Sequence, residues 1–156
     1  MRRSDREVTD YQQIKSIIEQ AKVVHIGMID NGRPYVVPMQ YGFVFTGGKL
    51  TLYVHCAKEG RKLDIIKKNP CVFIELETNV AIVSGGDVPC KYGSKYASVM
   101  GDGTAAIVED TDEKIYGLKL LMKAQTGKDF EISGQMTKSV TVLRIDVPRI
   151  TAKSRE

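Results

Sequence analysis

Residues 55–62 read HCAKEGRK, and they set a histidine, a glycine and two adjacent cations at the end of an apolar run. Each has a use. An imidazole changes charge near neutral pH, so His55 can give or take a proton. A strand that turns into a helix here exposes backbone N–H groups at the helix start, and that end carries partial positive charge suited to phosphate. Gly60 lets the main chain come close to a ligand. Arg61 and Lys62 then fall in the first helical turn, where the dipole disfavours cations. An anion between them and the dipole would resolve that conflict. The plainer alternative is a solvent-exposed helix start with no ligand, and this stretch alone does not decide between the two. For His55, the alternative is a strand-end histidine satisfied by backbone.

The second stretch with chemical content is RPYVVPMQYGF, residues 33–43. Pro38 sits within an otherwise strand-like run and removes a ladder donor there, which implies an edge, a bulge or a break. An apolar wall with irregular backbone suits a flat aromatic ligand whose edges bond exposed main-chain groups. A core strand with a bulge fits the same residues.

Stepping outward, the pattern predicts the elements that hold these residues. TDYQQIKSIIEQA reads as a helix, with Thr9 and Gln12 matching a capping box and Tyr11, Ile14, Ile17, Ile18 and Ala21 on one face. KVVHIGMID is a strand, Asn31-Gly32 a tight turn, and PYVVPMQYGFVF a second strand. LTLYVH is a third, with Leu50, Leu52 and Val54 on one side. EGRKLDIIKKN changes to a helical period and stops at Asn69-Pro70. CVFIELE is strand four, residues 78–95 read as a loop with some strand, and KYASVMGDGTAAIVED is a fifth strand bent near Gly101 and Gly103. DTDEKIYGLKLLMKAQTG is an amphipathic helix capped by Thr111 or Asp112, with Leu118, Leu121 and Met122 inward and Gly127 as its stop. SVTVLRIDVPRITAK closes as a strand carrying Val140, Val142, Ile145 and Val147. Short turns and few long crossovers favour an antiparallel sheet or barrel with helices at its ends, in a single domain over 1–156.

Composition narrows the function classes. The net charge is +4, from 23 Lys and Arg against 19 Asp and Glu. That mild excess fits an anionic ligand, while the cations around Lys67 and Lys68 read better as a solvated helix face than as a nucleic-acid surface. Three widely spaced cysteines, Cys56, Cys71 and Cys90, make no disulfide framework and point to a reducing cytosol. With His25 and His55 they show no metal-ligand spacing. No apolar run approaches the ~18 residues of a membrane span, and the N-terminus lacks the apolar core of a signal peptide. GDGTA, SGGDV and TGK lack the spacing of dinucleotide or Walker loops and read as turns.

Taken together, GRPYVVPMQYGFVF, LYVHCAKEGRKLDIIKKNPCVFIE, CKYGSKYASVMGDGTAAIV and SVTVLRIDV resemble the pyridoxamine 5′-phosphate oxidase-like family of FMN-binding split barrels, and within it the nitroimidazole-resistance branch. The resemblance covers about residues 5–153, and the His-x-Ala-x-x-Gly-Arg-Lys run is its most specific part. It implies a mainly β fold, a six-stranded antiparallel split barrel with flanking helices. It also implies a homodimer with FMN at the interface and a small-molecule substrate. The implied activity is an FMN-dependent oxidoreductase acting on small electron-poor aromatics such as nitro compounds. A flavin- or haem-binding storage or sensing protein on the same barrel is the other reading. Lys62 would be the main phosphate cation, with Arg61 beside it and the Ala57–Gly60 backbone close by. Val37, Pro38, Met39 and Tyr41 would lie along the flavin ring, Ser98 and Val99 would approach it from strand five, and His55 would be the catalytic group. The substrate residues of true pyridoxamine 5′-phosphate oxidases have no counterpart here. Tryptophan is absent, and Phe130 is the aromatic that follows the last helix.

Overall fold

Two glycine-bearing turns set the register of the sheet. The structure, a computed structural model, describes residues 3–155. Asn31 and Gly32, with φ of 49° and 80°, join β2 (Val24–Asp30) to β3 (Arg33–Met39), matching the primed turn that suits the right-handed twist of a hairpin. Gly47 and Gly48 do the same between β4 (Gly42–Thr46) and β5 (Lys49–Cys56). Before these come β1 (Glu7–Val8) and α1 (Tyr11–Gln20); after them α2 (Arg61–Lys68), β6 (Cys71–Val83), β7 (Gly93–Ile107), α3 (Thr111–Thr126), α4 (Gly134–Thr137) and β8 (Thr141–Arg155).

The strands form one antiparallel sheet in the order β3-β2-β6-β7-β8-β5-β4, with β1 added to β8. It curls around a continuous apolar interior that includes Ile26, Leu52, Val54, Ile74, Leu76, Val99, Leu143 and Ile145. Burying each such side chain contributes ~1.5–3 kcal/mol, so this interior is the main source of stability. The architecture is mainly β with flanking helices, as expected, but its strands number eight where six were anticipated. No helix among the described residues is long and apolar enough to cross a membrane.

Four local expectations are corrected. Residues 35–45 are two strands, not one, because the Tyr41 ring turns into the core and its hydroxyl donates to the Ile18 carbonyl at 2.7 Å and the Ala21 carbonyl at 2.9 Å. Those carbonyls belong to the C-terminal end of α1, which a helix leaves without internal partners. Residues 78–83 and 93–95 are strand, half of the stretch read as loop. β6 bulges between Thr78 and Ala81 and then pairs with β7 as far as Val83 and Gly93, so Gly85, Gly86 and Pro89 mark only the tip of a long hairpin. The N-cap of α1 is Asp10, not Thr9, and that of α3 is Asp110, neither Thr111 nor Asp112. Each carboxylate accepts the backbone N–H three residues on at 2.8 Å. Pro38 behaves as expected of an edge, since β3 ends the strand order and no further ladder needs its missing N–H.

Helix α3 lies on the outer side of β4 and β5. It is fastened by Arg144 of β8, whose Nη1 donates to Glu113 at 2.9 Å, and by the Tyr53 hydroxyl, which donates to the same carboxylate at 3.2 Å. Burial pushes the Tyr53 hydroxyl up to about 12, and the Glu113 charge adds to the effect, so it stays a donor at neutral pH. Gly42 allows the approach: a Cβ there would run into the backbone of Leu120 and Leu121. Main chain cannot rotate aside, so Gly42→Ala should destabilise the fold by ~1–3 kcal/mol or more, as a lower urea midpoint at unchanged slope. An unchanged midpoint would show that α3 can shift away at little cost.

Candidate functional site

The junction between β5 and α2 is opened by Gly60. Its φ of 142° and ψ of 161° lie where side-chain-bearing residues are strained, and a Cβ added there would meet no atom within 4 Å. Its carbonyl accepts the N–H of Leu63 at 2.9 Å and of Asp64 at 3.3 Å, which starts the helix. No side chain caps the first turn. Its leading amides are therefore open to an external acceptor.

The two cations behave differently. Arg61 is engaged: its Nε donates to Asp30 at 2.8 Å, and its guanidinium lies 4.3 Å from the centroid of the Tyr35 ring. Asp30 ends β2 and Tyr35 belongs to β3, so Arg61 ties the helix start to the β2–β3 hairpin. Lys62 is half-buried and has no carboxylate partner among the described residues. Its positive charge reaches the half-buried Cys56. Burial pushes that thiol up, and Lys62 partly offsets the rise by favouring the thiolate.

The wall beside this junction is β3. Tyr35, Val37 and Met39 are half-buried and pack on the core, whereas Pro34, Val36 and Pro38 face outward. Opposite Pro38 in the ladder stands His25, whose Nδ1 lies 3.1 Å from the Glu75 carboxylate. Tyr41 offers no side chain to a ligand, being 1% exposed; only its main chain remains. Ala57 is exposed in the short link between β5 and Gly60.

Three expected site residues are not gathered with the others. Met39, Val24, Leu76 and Val99 are successive ladder partners, so Val99 stands three strand spacings from β3, roughly 14 Å at about 4.8 Å each. Its side chain is fully buried, while Ser98 faces outward into a shallow depression shared with Met100 and Lys153. His55 is exposed and pairs with Val142, on the sheet side that carries Tyr53 and opposite Cys56. One chain thus assembles β3, Arg61, Lys62 and Cys56, and leaves Ser98, Val99 and His55 elsewhere.

Asp30, Tyr35 and Cys56 are neighbours of the junction that sequence reasoning missed. Cys56 was accessible from strand alternation: Leu50, Leu52 and Val54 point inward, so Cys56 continues their side. Nothing local links Asp30 to Arg61.

An eight-stranded antiparallel sheet curled on itself, with its edge strand beside the start of α2, defines a split-barrel protein. The chain belongs to the pyridoxamine 5′-phosphate oxidase family, whose sequence profile matches residues 10–154. It is similar to a candidate 5-nitroimidazole antibiotic resistance protein from Bacteroides thetaiotaomicron VPI-5482, at 31% identity and a TM-score of 0.79, covering 96% of this chain and 90% of that one. A candidate pyridoxamine 5′-phosphate oxidase from Listeria innocua is 26% identical over 89% of this chain and 94% of its own, with a TM-score of 0.57. An FAD and heme binding protein from Mycobacterium smegmatis shares the fold at 14% identity and a TM-score of 0.77, covering 97% of this chain and 74% of that one. No curated protein matches the chain.

The Cys56 environment can be checked directly. In a Cys71→Ser, Cys90→Ser background, alkylation of Cys56 should show a pH midpoint above that of a free thiol, which is about 8.5. Lys62→Met should move it further upward, because the nearby cation favours the thiolate. A midpoint that ignores Lys62 would place its ammonium away from the thiol.

Proposed function

We propose that this protein binds FMN and uses it to reduce small electron-poor aromatics such as nitro compounds. The observation that carries this reading is the unpaired Lys62 at an uncapped helix start opened by Gly60, beside an apolar edge strand. The donor set fits a phosphomonoester: open backbone amides and a cation with no carboxylate partner among the described residues, with Asp64 the acid of the same first turn. Its likeness to the candidate 5-nitroimidazole antibiotic resistance protein across most of both chains supports the substrate class.

FMN, when bound, supplies the electron transfer; the protein binds it and tunes it. Lys62 and the first-turn amides hold the phosphate. Arg61, oriented by Asp30, supports it from one side. Val37, Pro38 and Met39, with the Tyr41 main chain, offer the ring an apolar surface and exposed backbone edges. Ser98 and Val99 stand too far away within one chain, so a second copy delivers them. The outward sides of β2, β3, β6 and β7 expose Ile29, Val36, Phe73 and Met100, an apolar surface suited to that partner. The proposed assembly is a homodimer with FMN at the interface.

Lys62→Ala removes a charge-assisted contact worth ~1.5–3 kcal/mol, so FMN should bind roughly ten- to a hundred-fold more weakly, while riboflavin binds both proteins alike. Fluorescence-quenching titrations measure both. Equal FMN affinity would remove the phosphate from this junction.

His55 is the proposed proton donor. It is exposed at the end of β5 and faces away from Lys62 of its own chain, so it serves a substrate and not the phosphate. His55→Ala should keep the fold and most FMN affinity but slow reoxidation of reduced flavin by a nitroaromatic, within the ~10²–10⁴-fold range of a general acid. Stopped-flow reoxidation gives the answer. Identical rates would favour the second reading, flavin or haem binding without turnover, to which the fold shared with an FAD and heme binding protein already lends support.

A further inference from the structure

A second cationic feature lies apart from the Arg61–Lys62 pair. A cavity of about 720 Å³ opens between the start of α3, α4 and the first residues of β8. Lys58, Lys114 and Lys138 line it, with Thr111, Thr137 and Thr141, and no carboxylate does. Three other lysines do pair with acids, Lys15 with Glu19, Lys119 with Glu131 and Lys123 with Asp129. Among the described residues, the three cavity lysines pair with none.

Two of the nearby acids, Asp110 and Glu113, are committed to other partners. Asp110 accepts the Glu113 N–H as the cap of α3, and the Glu113 carboxylate is held by Tyr53 and Arg144. Thr111, the first residue of α3, brings the positive end of that 16-residue helix to the same cavity. Three lysines from three separate segments therefore line one space whose lining holds no carboxylate. Such an arrangement repels itself until an anion enters it.

We infer that this cavity binds a small ligand carrying at least two phosphate groups. The volume is that of a small-molecule site. The lining holds one aliphatic side chain, Val140, so recognition rests on charge and hydroxyl contacts and not on a stacked base. One phosphate would leave part of the three-lysine charge unmatched, whereas a diphosphate spans it. Inorganic pyrophosphate and a nucleoside diphosphate share this chemistry. The inference is separable from FMN binding: the cavity includes neither Arg61 nor Lys62, and of the Ala57–Gly60 stretch it takes only Lys58.

Isothermal titration at low salt, with pyrophosphate and ADP as probes and adenosine as a phosphate-free comparison, tests it. Wild type and Lys62→Ala should both bind pyrophosphate and ADP, and neither should bind adenosine. Lys138→Ala and Lys114→Ala should each weaken binding roughly ten- to a hundred-fold, with unchanged circular dichroism, and Lys138→Glu should abolish it. Lys49→Ala, on the β4–β5 turn, should bind like wild type. The inference fails if wild type does not bind pyrophosphate. It also fails if Lys49→Ala weakens binding as much as the cavity variants, or if only Lys62→Ala does.

Discussion

Leu50, Leu52 and Val54 fill the barrel interior, while Tyr53 between them is buried against Gly117 of α3 on the other side. Strand β5 is therefore gripped on both faces, by the barrel core and by a helix. A one-residue slip of its pairing with β8 would exchange those faces and expose the core side chains. The cost of that exchange holds β5 in one register. With the register held, the end of the strand has no freedom: Cys56 looks inward toward Lys62, His55 looks outward, and the chain must turn into α2 through a conformation that Gly60 tolerates. The geometry of the candidate site follows from packing decided several residues earlier.

The charges show the same economy of placement. Arg61 and Lys62 are adjacent, yet one is consumed and the other is free. Arg61 has the length and planar head to reach Asp30 and to lie over Tyr35, and it joins a helix to a hairpin. Lys62 begins on the half-buried side of α2, where no carboxylate of the sheet reaches it. A free cation held in a half-buried setting, beside amides without a cap, is an arrangement that an anion stabilises. Lys58, Lys114 and Lys138 have no carboxylate partner among the described residues, and Asp110 and Glu113 nearby are used to start and fasten α3.

The outer side of the sheet carries a different message. His25 and Glu75 form a pair amid exposed Val36, Phe73 and Met100, and the β6–β7 hairpin projects Ile82 and Val80 beyond the barrel. Helix α3 covers β4 and β5, whereas α1 meets β6 and β7 and α2 meets β2, and these exposed side chains stay uncovered. Completion of the β3 site by a second copy, as proposed, would draw on that surface.

Much of this protein was determined by its sequence acting locally. Alternation marked β5 and β8, Asn31-Gly32 and Gly47-Gly48 marked the hairpins, Gly127 stopped α3, and the run from His55 to Lys62 marked the junction and its chemistry. These are short-range matters of backbone conformation and side-chain period, and neighbours in sequence suffice to state them. What lies between distant residues was decided by the tertiary structure. Tyr41 reads as an exposed wall residue until α1 presents two carbonyls that need its hydroxyl. Residues 78–83 read as loop until β7 supplies the ladder. Arg61 reads as a free phosphate cation until the β2–β3 hairpin brings Asp30 within 2.8 Å. Ser98 and Val99 read as companions of β3 until two intervening strands separate them. In each case the deciding partner lies ten or more residues away in the chain, and only the folded sheet brings it into contact or holds it apart.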